Sequence, residues 1–232
     1  SYTSFLAKNV LSFIKEFKLT EIDAVCSHGH TLFHDPKNRL TFQLGNRKSL
    51  ATETGLNVVC NFRSQDIELG GQGAPLVPIG EKLLFRGYDA FLNLGGFSNV
   101  SKISDKSLIA YDICAVNTIL NFLANKRRKS YDLNGNMAKQ GKLILPLFDD
   151  LESLEYYKKS PPKSLGIEWV NSKILPLLEK YRLQSVEDLL YTYTIHIGSL
   201  ISKNFDCGQN VLVTGGGAVS YTHLTLPTIY SV

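Results

Sequence analysis

Apolar residues recur along this chain with two periods, and the alternation of these periods predicts the fold class. Helical spacing is clear in Ser4–Leu19, and most of its charged residues lie off the apolar face. Short apolar runs of strand length lie between such segments. We predict strands at Ile22–Cys26, Leu40–Leu44, Leu56–Cys60, Ala90–Leu94, Asn99–Ile103, Ser107–Asp112 and Asn210–Thr214. The alternation of strands with helices indicates an α/β fold with a mixed sheet.

Further helices are predicted along the chain, and the last three make its second half mainly helical. We predict helices at Arg47–Glu53, Pro78–Phe85, Asn117–Ala124, Met137–Leu147, Ile167–Lys180 and Val186–Asn204. Pro176 is expected to disturb the fifth of these, because proline removes a hydrogen bond inside a helix.

One segment, Asn61–Leu76, shows neither the helical nor the strand spacing of apolar residues. It reads N-F-R-S-Q-D-I-E-L-G-G-Q-G-A-P-L and combines three charged residues, Arg63, Asp66 and Glu68, with three glycines. Charged side chains on a loop that follows a strand are commonly binding groups. The alternative is a solvated turn with incidental charges.

Two further glycine clusters follow predicted strands. Gly95 and Gly96 turn one strand into the next, and such a turn presents backbone N–H groups that suit phosphate oxygens. Many β-hairpins turn on the same dipeptide, so this motif alone is weak. The run Val211–Gly217 ends in three glycines, which would let a nucleotide base or ribose lie against the backbone.

Asp112 is predicted to close the strand that begins near Leu108. A carboxylate at the end of a buried strand is well placed for general-base work, and the alternative is an ordinary helix N-cap. His28, His30 and His34 lie close together in sequence, but their spacing fits no strong zinc pattern. We therefore predict no metal ligands among the protein's own side chains.

Composition narrows the functional class. The chain has 232 residues, 44% hydrophobic residues, 20% charged residues and a net charge of +4, which is typical of a soluble globular protein. Its basic cluster, Lys126–Lys129, is best interpreted as a solvated helix end, so no nucleic-acid partner is predicted. The four cysteines are far apart, and no apolar run approaches 18 residues. We predict a cytoplasmic protein without a membrane partner.

These motifs together resemble the anhydro-N-acetylmuramic acid kinase family. The resemblance rests on S-H-G-H-T, F-R-S-Q-D-I-E-L-G-G-Q-G-A-P-L-V-P, L-N-L-G-G-F-S-N-V, Y-D-I-C-A-V-N, Y-D-L-N-G, P-P-K-S-L-G and V-T-G-G-G-A. It runs from about Ile22 to Ala218, and G-G-Q-G-A-P-L is its most specific element.

The resemblance implies an actin-like ATPase (ribonuclease H-like) fold with mixed sheets flanked by helices. It implies ATP-dependent cleavage of the 1,6-anhydro ring of anhydro-N-acetylmuramic acid with phosphorylation of O6. ATP and Mg²⁺ are the implied cofactors, the amino sugar and ATP are the small-molecule partners, and a homodimer is suggested. Another actin-like sugar kinase remains the alternative within enzymes.

The resemblance also assigns roles to individual residues. Asp112 matches the family's general base. Substrate binding is assigned to Ser27, His28, Arg63, Asp66, Gln72 and Gly73, and cofactor binding to Gly95, Gly96, Asn99, Gly215, Gly216 and Gly217.

The chain departs from the family pattern in several places. Many members have T-G-P-G-N after the aspartate where this chain has I-C-A-V-N, and His30 stands where a glutamine is usual. The family's initial strand and its Met-Ser-Gly-Thr-Ser loop, which binds ATP phosphates, are not seen. We expect a fragment that lacks both termini, with residues 1–90 and 91–218 in two actin-like subdomains and 219–232 as a non-native tail. A catalytically inactive remnant is the alternative to an active kinase.

Overall fold

The computed structural model describes residues 1–35, 38–45, 47–71, 73–103 and 108–220. The chain forms two compact units, Ser1–Val77 and a second unit that begins at Pro78. The predicted subdomain boundary after residue 90 stays a prediction. The same holds for the non-native tail, of which residues 221–232 lie outside the described part of the chain.

In its described residues, the first unit has three α-helices and two small sheets. Its elements in chain order are α1 (Tyr2–Glu16), β1 (Val25–Ser27), β2 (His30–Asp35), β3 (Leu40–Leu44), α2 (Ser49–Thr54), β4 (Val58–Cys60) and α3 (Phe62–Glu68). Strands β1 and β4 pair in parallel, and β2 and β3 pair antiparallel. Ser1 caps α1 by accepting a hydrogen bond from the Ser4 N–H at 3.2 Å.

Two elements of this unit differ from the prediction. The segment Asn61–Leu76 was expected to lack regular structure, but it begins with α3, which buries Ile67. A helix of seven residues is under two turns long, so it leaves too few apolar positions to show a period. Strand β2 was not predicted, because its sequence H-T-L-F-H-D mixes polar and apolar residues without alternation.

A four-stranded mixed sheet forms the centre of the second unit. Its strands are β5 (Ala90–Leu94), β6 (Phe97–Ile103), β7 (Leu108–Ala115) and β8 (Val211–Thr214), in the order β7-β6-β5-β8. Strands β5 and β8 are parallel, and the other pairs are antiparallel. The predicted α/β fold with a mixed sheet is therefore confirmed.

The described helices from residue 77 onwards are α4 (Val77–Leu84), α5 (Asn117–Asn125), α6 (Leu145–Glu152), α7 (Glu155–Lys158), α8 (Ile167–Trp169), α9 (Leu175–Lys180), α10 (Val186–Ser202) and α11 (Gly216–Ser220). Of these, α5, α6, α9 and α10 form the core together with the sheet. A π-helical turn, Val170–Ile174, joins α8 to α9 just before Pro176. The core cluster includes Leu92, Val100, Leu120, Leu147, Leu178, Leu190 and Tyr193. Within the described ranges, no helix is both long and apolar enough to span a membrane.

The predicted helix Met137–Leu147 is wrong in its position. A short 3-10 turn, Ala138–Gln140, is followed by an extended segment, and α6 begins only at Leu145. At this break Gly141 lies against the backbone of Glu187, where a Cβ would collide. The N–H groups of Lys142 and Ile144 donate to the side chains of Asp188 and Thr192 on the neighbouring helix, in place of the hydrogen bonds of a continuing helix.

Candidate functional site

In the first unit, two parallel strands bring the sugar-site candidates together. Ser27 at the end of β1 lies opposite Cys60 at the end of β4, so both strands deliver the chain to the same edge. His28 follows β1 directly, and α3 carries Arg63 in its first turn. The Nε of Arg63 donates a hydrogen bond to Nε2 of His28 at 3.0 Å.

This contact fixes the state of the imidazole and orients the guanidinium. Nδ1 of His28 lies 2.9 Å from the carbonyl oxygen of Gly29, which can only accept a hydrogen bond. Nδ1 therefore carries the proton, and Nε2 accepts from Arg63 in a neutral ring. Partial burial lowers the pKa of Arg63, which remains a cation. Its terminal amino groups have no partner in the described part of the chain.

The other loop candidates have structural contacts. The Ser27 hydroxyl is buried and donates to the carbonyl of Gly45 at 2.7 Å. Oδ2 of Asp66 accepts from the Gly73 N–H at 2.6 Å, which closes the loop that contains the three glycines. Gly73 has φ +67°, and a Cβ there would lie 2.8 Å from the side chain of Ile67. Gln72 lies outside the described residues, and the binding roles of this group stay predictions.

In the second unit, the two glycine turns lie side by side. Asn93 pairs with Thr214 in the parallel strands β5 and β8, so both strands end at one edge of the sheet. Gly215 turns there with φ +87°, and a Cβ on it would lie 2.7 Å from the carbonyl of Leu94. Ligands of open α/β sheets bind at such carboxyl ends of parallel strands.

The Gly95–Gly96 turn uses its carbonyl groups to hold α5. The Gly96 carbonyl accepts from the N–H of Val116 at 2.8 Å and from the hydroxyl of Thr118 at 2.9 Å. The Gly95 carbonyl accepts from the N–H of Asn117 at 3.2 Å. The turn therefore satisfies the first N–H groups of the helix, which fixes its own conformation. Phosphate binding by Gly95 and Gly96 stays a prediction.

A row of four polar residues crosses the whole sheet beside these turns. In successive strands, Thr214 pairs with Asn93, Asn93 with Asn99, and Asn99 with Asp112. Residues that pair across strands project from the same face of a sheet. None of the four is buried, whereas the residues of the adjacent row, such as Leu92 and Val100, belong to the core.

A β-bulge puts Asp112 into this row. The register of β6 and β7 shifts between Ser98 and Asn99, so Ser98 pairs with Cys114 but Asn99 pairs with Asp112. Without the shift, Asn99 would pair with Ile113 and Asp112 would project towards the core. Bulges re-aim side chains in this way and are frequent beside active sites.

Asp112 itself does not lie where the sequence predicted. Strand β7 continues to Ala115, so Asp112 is inside the strand rather than at its end. The strand continues because Ile113, Cys114 and Ala115 are all buried against the helices. The N-cap alternative is excluded, because α5 is preceded by Val116.

The surroundings of Asp112 make it a stronger base than an ordinary aspartate. Burial raises its pKa, and a hydrogen bond from the Leu165 N–H to Oδ2 at 2.8 Å opposes this rise in part. Oδ1 has no hydrogen-bond partner within the described ranges. A carboxylate with one oxygen held and one available can accept a proton from a bound water.

Several residues beside the site were not predicted. Asn93 and Thr214 belong to the polar row, and each is a polar residue in an apolar run just before glycines, which is a usable signal. The carboxylate of Asp132 accepts from the N–H groups of Met137 and Ala138, both at 2.9 Å. It thereby holds the turn Leu133–Gly135, which contacts α11.

Comparison with known proteins decides the family. A family model described as anhydro-N-acetylmuramic acid kinase matches residues 2–225. The chain belongs to this family. The resemblance inferred from its motifs is thereby confirmed, and with it the actin-like ATPase class of sugar kinases.

Curated members of the family show moderate identity. The chain is 35% identical to the anhydro-N-acetylmuramic acid kinase of Bacillus cereus strain 03BB102, over 89% of the chain and 59% of that protein. It is 36% identical to the protein of the same name from Bacillus anthracis strain A0248, with the same coverage. The chain thus spans about three fifths of the length of these relatives.

Proposed function

We propose that the protein is an ATP-dependent kinase that opens the 1,6-anhydro ring of anhydro-N-acetylmuramic acid and phosphorylates O6, giving N-acetylmuramate 6-phosphate. The observation that carries the proposal is the polar row Thr214–Asn93–Asn99–Asp112. It joins a carboxylate of raised pKa to the glycine turns at the ends of β5 and β8. That arrangement suits a reaction that needs one base and one bound nucleotide.

In the proposed reaction, a water molecule attacks the anomeric carbon and transfers a proton to Asp112. The bond between the anomeric carbon and O6 breaks, and O6 forms a bond to the γ-phosphorus of ATP, from which ADP departs. Water, sugar and ATP are thus converted to sugar phosphate and ADP, with one proton left on the carboxylate. Phosphoryl transfer of this kind depends mainly on positioning and charge neutralisation.

ATP is a substrate of this reaction, and the glycine turns fit it. At Gly215 a Cβ would collide with the backbone of Leu94, so the glycine lets the turn after β8 pack closely on β5 and brings the two glycine turns to one edge of the sheet. The described residues contain no group of three or more acidic, histidine or cysteine side chains that could hold a metal. Mg²⁺ is expected as the partner of ATP, because Mg²⁺ binds nucleotides through their phosphates, water and one or two carboxylates.

The sugar is proposed to bind at the strand ends of the first unit. The substrate carries a carboxylate on its lactyl group, and the terminal amino groups of Arg63 can bind a carboxylate with two parallel hydrogen bonds. The bond from Arg63 to His28 holds the guanidinium in one orientation. A homodimer and a cytoplasmic location remain predictions from the family resemblance.

The test is an ADP-release assay coupled to a second enzyme, with the protein expressed at the full length that its gene encodes. We expect ADP release that requires anhydro-N-acetylmuramic acid and a sugar product that carries one phosphate. N-acetylglucosamine and glucose serve as control sugars. Release that depends on a control sugar and not on the anhydro sugar would favour another actin-like sugar kinase and refute the proposal.

A further inference from the structure

The outer edge of β7 at Asp112 is covered by a segment that the proposed reaction does not use. The main-chain N–H of Asp112 donates to the carbonyl of Lys163 at 3.0 Å. In return, the N–H of Leu165 donates to the Asp112 carboxylate, at Oδ2, at 2.8 Å. The hydroxyl of Tyr156 donates to the main-chain carbonyl of Asp112 at 2.8 Å. All three contacts come from residues distant in sequence.

The segment is itself held in place by aromatic packing. Tyr156 is buried, and its ring lies 5.3 Å from that of Trp169, measured between centroids. Nζ of Lys163 lies 4.9 Å from the centroid of the Tyr156 ring. Because these groups belong to the packed part of the second unit, the donor at Leu165 keeps a fixed position relative to β7.

We propose that the segment Lys163–Leu165 is a positioning device that holds Oδ2 of Asp112, so that Oδ1 is the oxygen that receives the proton of the attacking water. This rests on the proposed function. Leu165 acts through its main chain only, and it is a positioning residue that touches no substrate. The different roles of the two carboxylate oxygens follow from the geometry, since Oδ2 has a hydrogen-bond donor and Oδ1 has none in the described part of the chain.

The proposal makes a prediction with a definite sign. A hydrogen bond to a carboxylate stabilises its charged form, so removing the Leu165 N–H must raise the pKa of Asp112 further. The base works only when it is deprotonated. The acid limb of the profile of kcat against pH must therefore move to higher pH in the variant.

The variant is an amide-to-ester replacement at Leu165, which exchanges the N–H for an oxygen and keeps the side chain. We expect the acid limb to rise by about one pH unit, with KM for the sugar little changed. Leu165→Ala is the matched control, because it keeps the N–H and removes the side chain, and its acid limb should stay in place. An acid limb that does not move in the ester variant overturns the proposal.

A second measurement needs neither the ester nor turnover. In the wild-type protein, the amide proton of Leu165 should change its chemical shift with pH along the titration curve of Asp112, and Asp112→Asn should abolish that change. A Leu165 shift that is independent of pH in the wild type overturns the proposal. Failure of the wild-type protein to turn over the anhydro sugar would refute the proposed function, while this titration would still decide the positioning role.

Discussion

The two units of the chain differ sharply in how much apolar surface they bury. The core cluster lies wholly in the second unit and draws on its sheet and on helices α5, α6, α9 and α10. In the first unit, the buried hydrophobic residues found in the described ranges are Ala7, Leu50 and Ile67. Its two sheets have two strands each, and such sheets are marginal on their own.

This difference matches the kinds of side chain that each unit presents. The second unit fixes Asp112 and its polar row through strand register and a packed core, which suits a catalytic base that must not move. The first unit presents Arg63 from a short helix and orients it by one hydrogen bond to an exposed histidine. We infer that chemistry resides in the second unit and sugar recognition in the first.

The largest expected effect is at Asp112. We expect Asp112→Asn to lower kcat by about 10²–10⁴-fold, because general-base catalysis contributes about that much. Sugar affinity and the free energy of unfolding should change little, since an asparagine oxygen can still accept from Leu165. Kinetics and calorimetric sugar titration on the same preparation measure both. Substantial residual turnover would remove Asp112 from its role.

The next effect tests the difference in packing. Leu120 is 1% exposed in the core, and Leu120→Ala should lower the free energy of unfolding by about 2–5 kcal/mol. Leu11 on α1 is 42% exposed, and Leu11→Ala should change it by no more than about 0.5 kcal/mol. Denaturant unfolding measures both variants. An equal loss of unfolding free energy in Leu11→Ala would show that the exposed face of α1 is packed in solution.

A smaller effect is expected at the nucleotide turn. Gly215 and Gly208 both have positive φ, but only Gly215 has atoms within reach of an added Cβ. Both substitutions to alanine should cost about 1 kcal/mol in backbone strain. Gly215→Ala should in addition weaken ATP binding about tenfold, because the turn must move away from Leu94. Equal ATP affinity in the two variants would contradict the idea that the close packing of the Gly215 turn on Leu94 matters for ATP binding.

The smallest effect is expected at Arg63. Arg63→Lys keeps the charge but loses the planar fork and the bond to His28, so KM for the anhydro sugar should rise about tenfold at similar kcat. The exposed Arg86 provides the control, Arg86→Lys. With 1,6-anhydro-N-acetylglucosamine, which lacks the lactyl carboxylate, the difference between wild type and Arg63→Lys should vanish. A penalty of the same size on both sugars would refute recognition of the carboxylate by Arg63.

Several strands could be predicted from the sequence. Strands Leu40–Leu44 and Ala90–Leu94 have the predicted bounds, because apolar runs of strand length bounded by glycine or charged residues are strong local signals. The helix α3 could not be predicted, since seven residues are too few to show a period. Local pattern therefore predicted most of the long elements, but it misplaced the helix at Met137–Leu147 and missed both β2 and the short helix that carries Arg63.

Some residues of the candidate site could be picked out from the sequence, and their roles stay predictions, but the geometry of the site could not be predicted. Asp112 and Asn99 were both candidates, yet nothing in the sequence shows that they pair across two strands. That pairing depends on a bulge, and a register shift is decided by contacts between strands rather than by the residues of either one. The hydrogen bond from Leu165 could not be predicted either, because its donor is a main-chain N–H, which every residue except proline has.

The most direct test of the central claim is the path of oxygen from water. The reaction is run in H₂¹⁸O with ATP and the anhydro sugar, and both products are examined by mass spectrometry within a few turnovers. Attack of water on the anomeric carbon predicts one ¹⁸O in the sugar, at the anomeric hydroxyl, and none in the transferred phosphoryl group. Label found in phosphate, with the sugar unlabelled, would mean that water attacks ATP and would contradict the account.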